Sequence, residues 1–185
     1  MNLELTYQSR IAEYLHIAPE QVSLYWKGRV ALYAVLKAMG VGPGDEVVLP
    51  AFTCVVVPNA ILYLGATPIY VDINPTVLCC SASQIEQVLT PKTKVILIQN
   101  MLGLSFEVEE IVSLAKARGI YTIEDCTHGF GGKHQGVFNG LRSDASFFSS
   151  QWNKPFSTGI GGMLVVNNRD LLESVNDVHS NLIKP

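Results

Sequence analysis

Three groups of residues in this sequence have types and settings that could do chemistry. Lys154 stands between Trp152 and Phe156, in a stretch rich in Ser, Thr and Gly, whereas most of the eight lysines fall on expected helix faces or in turns. Desolvation lowers a lysine's pKa and makes its neutral amine available as a nucleophile. The plainer alternative is a surface lysine between two aromatics. Asp125 ends the mostly apolar run Tyr121-Thr-Ile-Glu-Asp125. Side chains alternate along a strand, so Glu124 and Asp125 face opposite sides. A carboxylate at Asp125 could hold a protonated ring nitrogen, or it could cap the Cys126–Gly129 turn. Gly28-Arg29-Val30 opens a helix. Free N–H groups and the helix dipole attract an anion there, and Arg29 could add a charge-assisted contact to phosphate. A strand-to-helix turn also uses glycine with no ligand at all.

Other familiar chemistry fails on detail. Gly40-Val-Gly42-Pro-Gly44 follows a helix and precedes a strand, the reverse of a dinucleotide fingerprint. Gly129-Phe-Gly131-Gly132 follows a strand but opens no clear helix. The sequence has no Walker A segment and no GxSxG elbow. His16 ends a helix, His134 sits in a polar turn and His179 lies on the last helix. None has a partner at metal spacing, so all three read as ordinary surface residues and no metal site is expected. The four cysteines, Cys54, Cys79, Cys80 and Cys126, form no CxxC pair, and two are adjacent. They read as buried free thiols in a reducing cytosol.

These residues need a scaffold that brings strand ends together. The pattern predicts helices over 8–17, 29–39, 56–64, 83–89, 108–118 and 169–182, with Ser81 or Ser83 capping the fourth. Strands are predicted over 22–26, 46–49, 68–72, 94–99, 120–124, 145–149 and 163–166. Strands alternating with helices mean an α/β fold: three layers, with a mostly parallel central sheet covered on both faces. Ligands of such sheets bind outside the carboxyl ends of the strands. Gly28, Cys54, Asn100, Asp125, His128 and Lys154 all follow such ends and are expected to converge on one rim. Val47 to Val71 carries no charge over 25 residues. Pro50, Pro58, Asn59, Gly65 and Pro68 interrupt it too often for a membrane span, so it reads as buried strand, helix and strand.

Composition agrees. Hydrophobic residues make up 48% and charged residues 16%, with net charge −3. A chain of this size can bury a real core, and the charge balance shows no basic excess for nucleic acid. Soluble domains average about 25% charged, so much of this surface is expected to be covered by a partner subunit, a cofactor or a further domain. The N-terminus has no apolar signal core, and the protein is expected to be soluble and cytoplasmic.

Taken in order, eight segments resemble the large domain of fold-type-I pyridoxal-phosphate (PLP) enzymes, and more narrowly the DegT/DnrJ/StrS family of sugar aminotransferases. They are Gly28-Arg-Val-Ala-Leu32, Gly42-Pro-Gly-Asp-Glu-Val47, Pro50-Ala-Phe-Thr53, Gly65-Ala-Thr-Pro68, Val71-Asp-Ile73, Thr90-Pro-Lys-Thr-Lys94, Ile123-Glu-Asp125, and Ser149 through Lys154 to Gly161-Gly162. The resemblance implies that Lys154 forms the Schiff base with the cofactor and then moves the proton. It implies that Asp125 pairs with the pyridinium nitrogen and that His128 lies close to the ring. Gly28, Arg29 and Val30 would cradle the phosphate, with Ser149 contacting it. Cys54 would lie beside the ring. The implied reaction moves an amino group from a donor such as glutamate to a keto sugar on a nucleotide, in a homodimer. A lysine at 154, where related sugar dehydratases have histidine, points to transamination.

The sequence departs from the family in places. Arg29 stands where the family has Thr, and Cys54 where it has a stacking aromatic. Asn100-Met-Leu102-Gly103 replaces a more polar segment. Family members are about twice as long. The expected organisation is a shortened N-terminal helix and first strand over 1–27 and a PLP-binding large domain over 28–185, with the C-terminal small domain absent. The alternative expectation is an incompetent fragment or an assembly partner of such an enzyme.

Overall fold

A computed structural model describes residues 2–182. A seven-stranded sheet forms its centre. The strands are β1 (Val22–Tyr25), β2 (Glu46–Pro50), β3 (Thr67–Val71), β4 (Thr93–Gln99), β5 (Tyr121–Asp125), β8 (Ala145–Ser149) and β9 (Gly162–Val166), in the order β1-β9-β8-β5-β4-β2-β3. The pairs among β8, β5, β4, β2 and β3 are parallel; β9 runs antiparallel to both its neighbours. Six strands therefore deliver their carboxyl ends to one rim. Central strands such as β4 (TKVILIQ) and β9 (GMLVV) are almost wholly buried, because helices cover both faces.

The helices are α1 (Leu3–Leu15), α2 (Gly28–Ala38), α3 (Val56–Tyr63), α4 (Ala82–Glu86), α5 (Val108–Ala117) and α6 (Leu172–Leu182). One face of the sheet packs on α2, α3 and α6, through Leu32, Leu36, Ile61, Leu97, Phe147 and Val175 among others. A cluster on α4 and α5 buries Ile85, Ile111, Ile96 and Ile98. A third buries Ile11 and Leu15 of α1 with Phe138, Phe148 and Met163. The alternating α/β pattern read from the sequence is thus the fold, and Ser81 is the cap of α4, with its hydroxyl 3.2 Å from the Gln84 N–H.

The differences have local causes. Helix α1 starts at Leu3 because the Asn2 side chain caps it, and His16 ends it in a left-handed conformation. A two-residue hairpin, β6 (Lys133–His134) and β7 (Val137–Phe138), replaces the expected polar turn. Its turn residues, Gln135 and Gly136, both have positive φ, as a type I′ turn demands. The run 47–71 is not uniformly buried: β3 lies at the sheet edge and exposes Thr67 and Tyr70. Nor is His179 an ordinary surface residue. Its ring meets Tyr25 edge-on at 4.8 Å and its Nε2 lies 2.9 Å from the Leu24 carbonyl oxygen, which can only accept. Gln8 donates to the Val22 carbonyl at 2.6 Å. Side chains thus occupy two outward carbonyls of β1. Among the described residues no helix is long and apolar enough to cross a membrane.

Candidate active site

At the carboxyl rim, β1, β2, β5 and β8 and the segments after them form a cavity lined by Lys27, Gly28, Arg29, Cys54, Asp125, Thr127, Ser149, Gln151, Asn153 and Lys154, together with Val56, Val57 and Phe147. Gly28, Arg29, Cys54, Asp125, Ser149 and Lys154 are therefore brought together. A larger hollow of about 560 Å³ lies at the opposite edge, beside Lys116, Tyr121 and Asp144. There Asp144 already accepts from Thr122 N–H and hydroxyl and from Asn168, so its carboxylate is spent on the fold. The ionisable side chains of Asp125 and Lys154 converge instead on the smaller cavity.

Helix α2 begins at its wall. Lys27 is extended, and its carbonyl accepts from Val30 N–H at 3.0 Å and from Ala31 N–H at 3.3 Å. Among the described residues the N–H groups of Gly28 and Arg29 have no partner. Val30 falls outside the expected cradle: its N–H is taken, and its side chain lines a neighbouring groove with Tyr33 and Tyr63. Position 28 has to be glycine, because a Cβ there would stand 2.9 Å from the Phe148 carbonyl oxygen, which belongs to β8 and cannot retreat. Gly162 faces the same constraint, since its missing side chain leaves room for the Lys27–Gly28 peptide. The close approach sets the helix end against Ser149.

Asp125 is the last residue of β5 and is buried. Thr127 N–H donates to its Oδ1 at 2.9 Å, so it does close the turn after the strand. Burial pushes its carboxyl pKa up, against the opposing pull of Thr127, Lys154 and His128. His128 lies in the turn that follows, half-buried, and does not itself line the cavity. Burial first and Lys154 second hold its pKa below the ordinary value, while Asp125 pulls the other way. Lys154 stands in the loop after β8, its N–H bonded to Gln151 carbonyl at 3.0 Å. A buried carboxylate, an amine and an imidazole thus share one field, with the amides of Gly28 and Arg29 at the wall of the same cavity.

Sequence reasoning missed several residues. Lys27, Thr127, Gln151 and Asn153 line the cavity, and each is a close chain neighbour of a residue that was singled out. Glu124 had no signal beyond facing away from Asp125. It is fully buried and accepts from Asn100 Nδ2 (3.0 Å), Gly140 N–H (3.0 Å), Arg142 N–H (3.2 Å) and Ser143 N–H (3.3 Å). Asn100 in turn accepts from Ser105 (2.9 Å), and Asn139 Nδ2 donates to the Gly103 carbonyl (3.0 Å). This polar layer underlies the turn that carries His128. Of the cysteines, Cys79, Cys80 and Cys126 are buried free thiols, as expected, but Cys54 is exposed, because it lies on the loop that borders the cavity.

Known proteins give this arrangement a context. A family model described as the DegT/DnrJ/EryC1/StrS aminotransferase family matches residues 4–183. A GDP-perosamine synthase of Escherichia coli O157:H7 is 41% identical over 167 residues, 90% of this chain and 45% of that protein. A UDP-N-acetyl-3-dehydro-alpha-D-glucosamine 3-aminotransferase of Acidithiobacillus ferrooxidans is 37% identical over 145 residues, 78% of this chain and 39% of its own length. The crystal structure of NtdA from Bacillus subtilis with bound cofactor PMP superposes with TM-score 0.84 at 32% identity, covering 93% of this chain and 39% of that one. The chain spans less than half the length of each of these relatives. On its match over nearly all of its residues, the chain belongs to the DegT/DnrJ/EryC1/StrS aminotransferase family.

Proposed function

We propose that this chain is the cofactor-binding part of a PLP-dependent aminotransferase that aminates a keto sugar carried on a nucleotide, with an amino acid such as glutamate as donor. The observation that carries the reading is the convergence of Lys154, Asp125 and the free amides of Gly28 and Arg29 on one cavity. The names of the relatives, a GDP-perosamine synthase and a UDP-sugar 3-aminotransferase, support the substrate class. On this reading residues 28–185 form the large domain and 1–27 a short lead-in.

The residues present fit the cofactor. Gly28 and Arg29 amides, the Arg29 guanidinium and Ser149 suit a phosphate, and a carboxylate in a buried place suits a protonated ring nitrogen. When bound, pyridoxal phosphate supplies the electron sink that lets a C–H bond next to nitrogen ionise. Lys154 Nζ would supply the amine that holds it and could take up and return a proton there. Asp125 is charged at a cost because it is buried, and a cation against it offsets that cost. His128, kept neutral by burial and by Lys154, is free to pack beside a flat ring. Cys54 borders the same space without an aromatic face.

The rim around the cavity exposes Trp26, Phe52, Leu102, Leu104, Trp152 and Ile160. On this reading a second copy of the chain covers them, in the cytoplasm, where free thiols persist. The test is to mix the protein with pyridoxal phosphate, record the visible spectrum, reduce with borohydride and map the peptides. The expected result is one pyridoxyl label on Lys154, abolished in Lys154→Ala. A label scattered over surface lysines overturns the reading.

A further inference from the structure

The segment that carries Lys154 connects the antiparallel pair β8 and β9 and is closed by its own hydrogen bonds. Among the described residues, every hydrogen bond made by 151–160 is to itself or to its own ends. Ser150 N–H donates to Gly161 carbonyl (3.0 Å), Thr158 N–H to Ser150 carbonyl (2.9 Å), and the Ser150 and Thr158 hydroxyls meet at 2.7 Å. Lys154 N–H and Gly159 N–H bond to Gln151 and Ser157. These bonds close the loop on itself and leave its tilt over the sheet undefined.

Its ring contact points outward. Phe156, two residues after Lys154, stacks on Phe130 with ring centroids 5.2 Å apart and planes 29° from parallel. Phe130 lies two residues after His128, on the peptide that also holds Asp125. The same ring stacks on Tyr14 of α1 at 5.5 Å and meets Phe148 of β8 edge-on at 5.8 Å. Tyr14 also fills the space beside Gly131, where a Cβ would stand 2.9 Å from its hydroxyl. Tyr14, Phe130 and Phe156 form a ladder of three rings from the N-terminal helix to the Lys154 loop.

We propose that Phe130 and Phe156 are positioning residues: their stack sets where Lys154 stands relative to Asp125 and His128, and α1 holds the back of the stack through Tyr14. Such a pair supplies a defined geometry as well as buried area. For the role of Lys154 the inference rests on the function proposed above; the anchoring itself does not.

Two measurements on the full chain separate these. The first is hydrogen exchange of the peptide spanning 150–161, without cofactor. Phe156→Ala and Phe130→Ala are expected to speed exchange there about tenfold, in line with the loss of one aromatic pair. Peptides from β4 and β5 stay protected, and Phe156→Tyr, which keeps the ring, restores the wild-type rate. Phe156 is only half-buried, so its removal spares the core even if Phe130→Ala fails to fold. Unchanged exchange in Phe156→Ala overturns the anchoring. The second is the share of borohydride-fixed pyridoxyl on Lys154, with the pH midpoint of the visible band. Phe156→Ala is expected to lower that share about tenfold and shift the midpoint, with Phe156→Tyr at wild type. A Lys154 label as strong in Phe156→Ala as in wild type overturns the positioning role and leaves the functional reading intact. A wild type labelled elsewhere overturns the functional reading and with it the positioning of a reactive lysine, while exchange still decides the anchoring.

Discussion

Glu124 and Asp125 are consecutive carboxylates at the end of one strand, both buried, and they meet opposite fates. Glu124 turns into the polar layer and is saturated by four N–H donors. Asp125 lines the cavity and receives the Thr127 N–H, with Lys154 and His128 close enough to pull its pKa down against burial. A carboxylate whose lone pairs are filled by the chain itself belongs to the architecture. One that burial pushes up and the chain leaves short is held ready for something else.

The largest effect that tests this contrast is expected at Glu124. Glu124→Gln turns an NH2 toward N–H groups that need an acceptor, and is expected to cost about 2–4 kcal/mol. A melting curve checks it; a drop of roughly 5–15 °C fits a chain of this size. Asp125→Asn is expected to leave the cofactor-free protein as stable or slightly more stable, because it removes a charge that burial disfavours, yet to weaken pyridoxal phosphate binding at least about tenfold. Should Asp125→Asn melt as low as Glu124→Gln, the distinction between the two carboxylates is gone.

A smaller effect lies in the pH dependence. His128 is held below the usual value of about 6.5, so the unfolded chain takes up its proton first as pH falls. Stability from this group is complete above about pH 6.5 and falls as pH drops from there toward the lowered value. Asp125 has the opposite sign: its raised pKa makes the folded chain bind the proton first, so its contribution grows as pH falls through that raised value. Melting temperatures from about pH 5 to 7 are expected to rise less steeply in His128→Gln than in wild type, and an equal slope refutes the assignment. The smallest test concerns Cys54. Iodoacetamide is expected to modify this thiol in the native chain and spare Cys79, Cys80 and Cys126; burial pushes Cys80 up to about 12. Pyridoxal phosphate is expected to slow the reaction, because Cys54 borders the cavity. Equal rates with and without cofactor separate that thiol from the site.

The sequence carried those parts of the molecule that depend on local pattern. Periodicity located the helices and the parallel strands, and strand ends located Gly28, Asp125 and Lys154. Contacts between distant segments left no such mark. The direction of β9 follows from how the chain returns from the Lys154 loop, which no spacing encodes. The free amides could be counted only once Lys27 carbonyl was seen to take Val30 N–H. Glu124 looked like a neighbour of Asp125 until the donors of 140–143 closed on it. The stack of Phe130 on Phe156 joins positions 26 apart through two irregular segments, where neither a helical nor a strand period applies.

The two margins of the sheet carry a consequence for how the protein behaves in a crowd. A bare β edge is a template onto which another chain can add a strand, and runs of apolar residues nearby make such growth hard to stop. Here β1 presents carbonyls already claimed by Gln8 and His179, and β3 carries Pro68, which has no N–H to give. A chain nearly half apolar, with few charges to keep copies apart, is thereby guarded against edge-to-edge aggregation at both ends of its sheet.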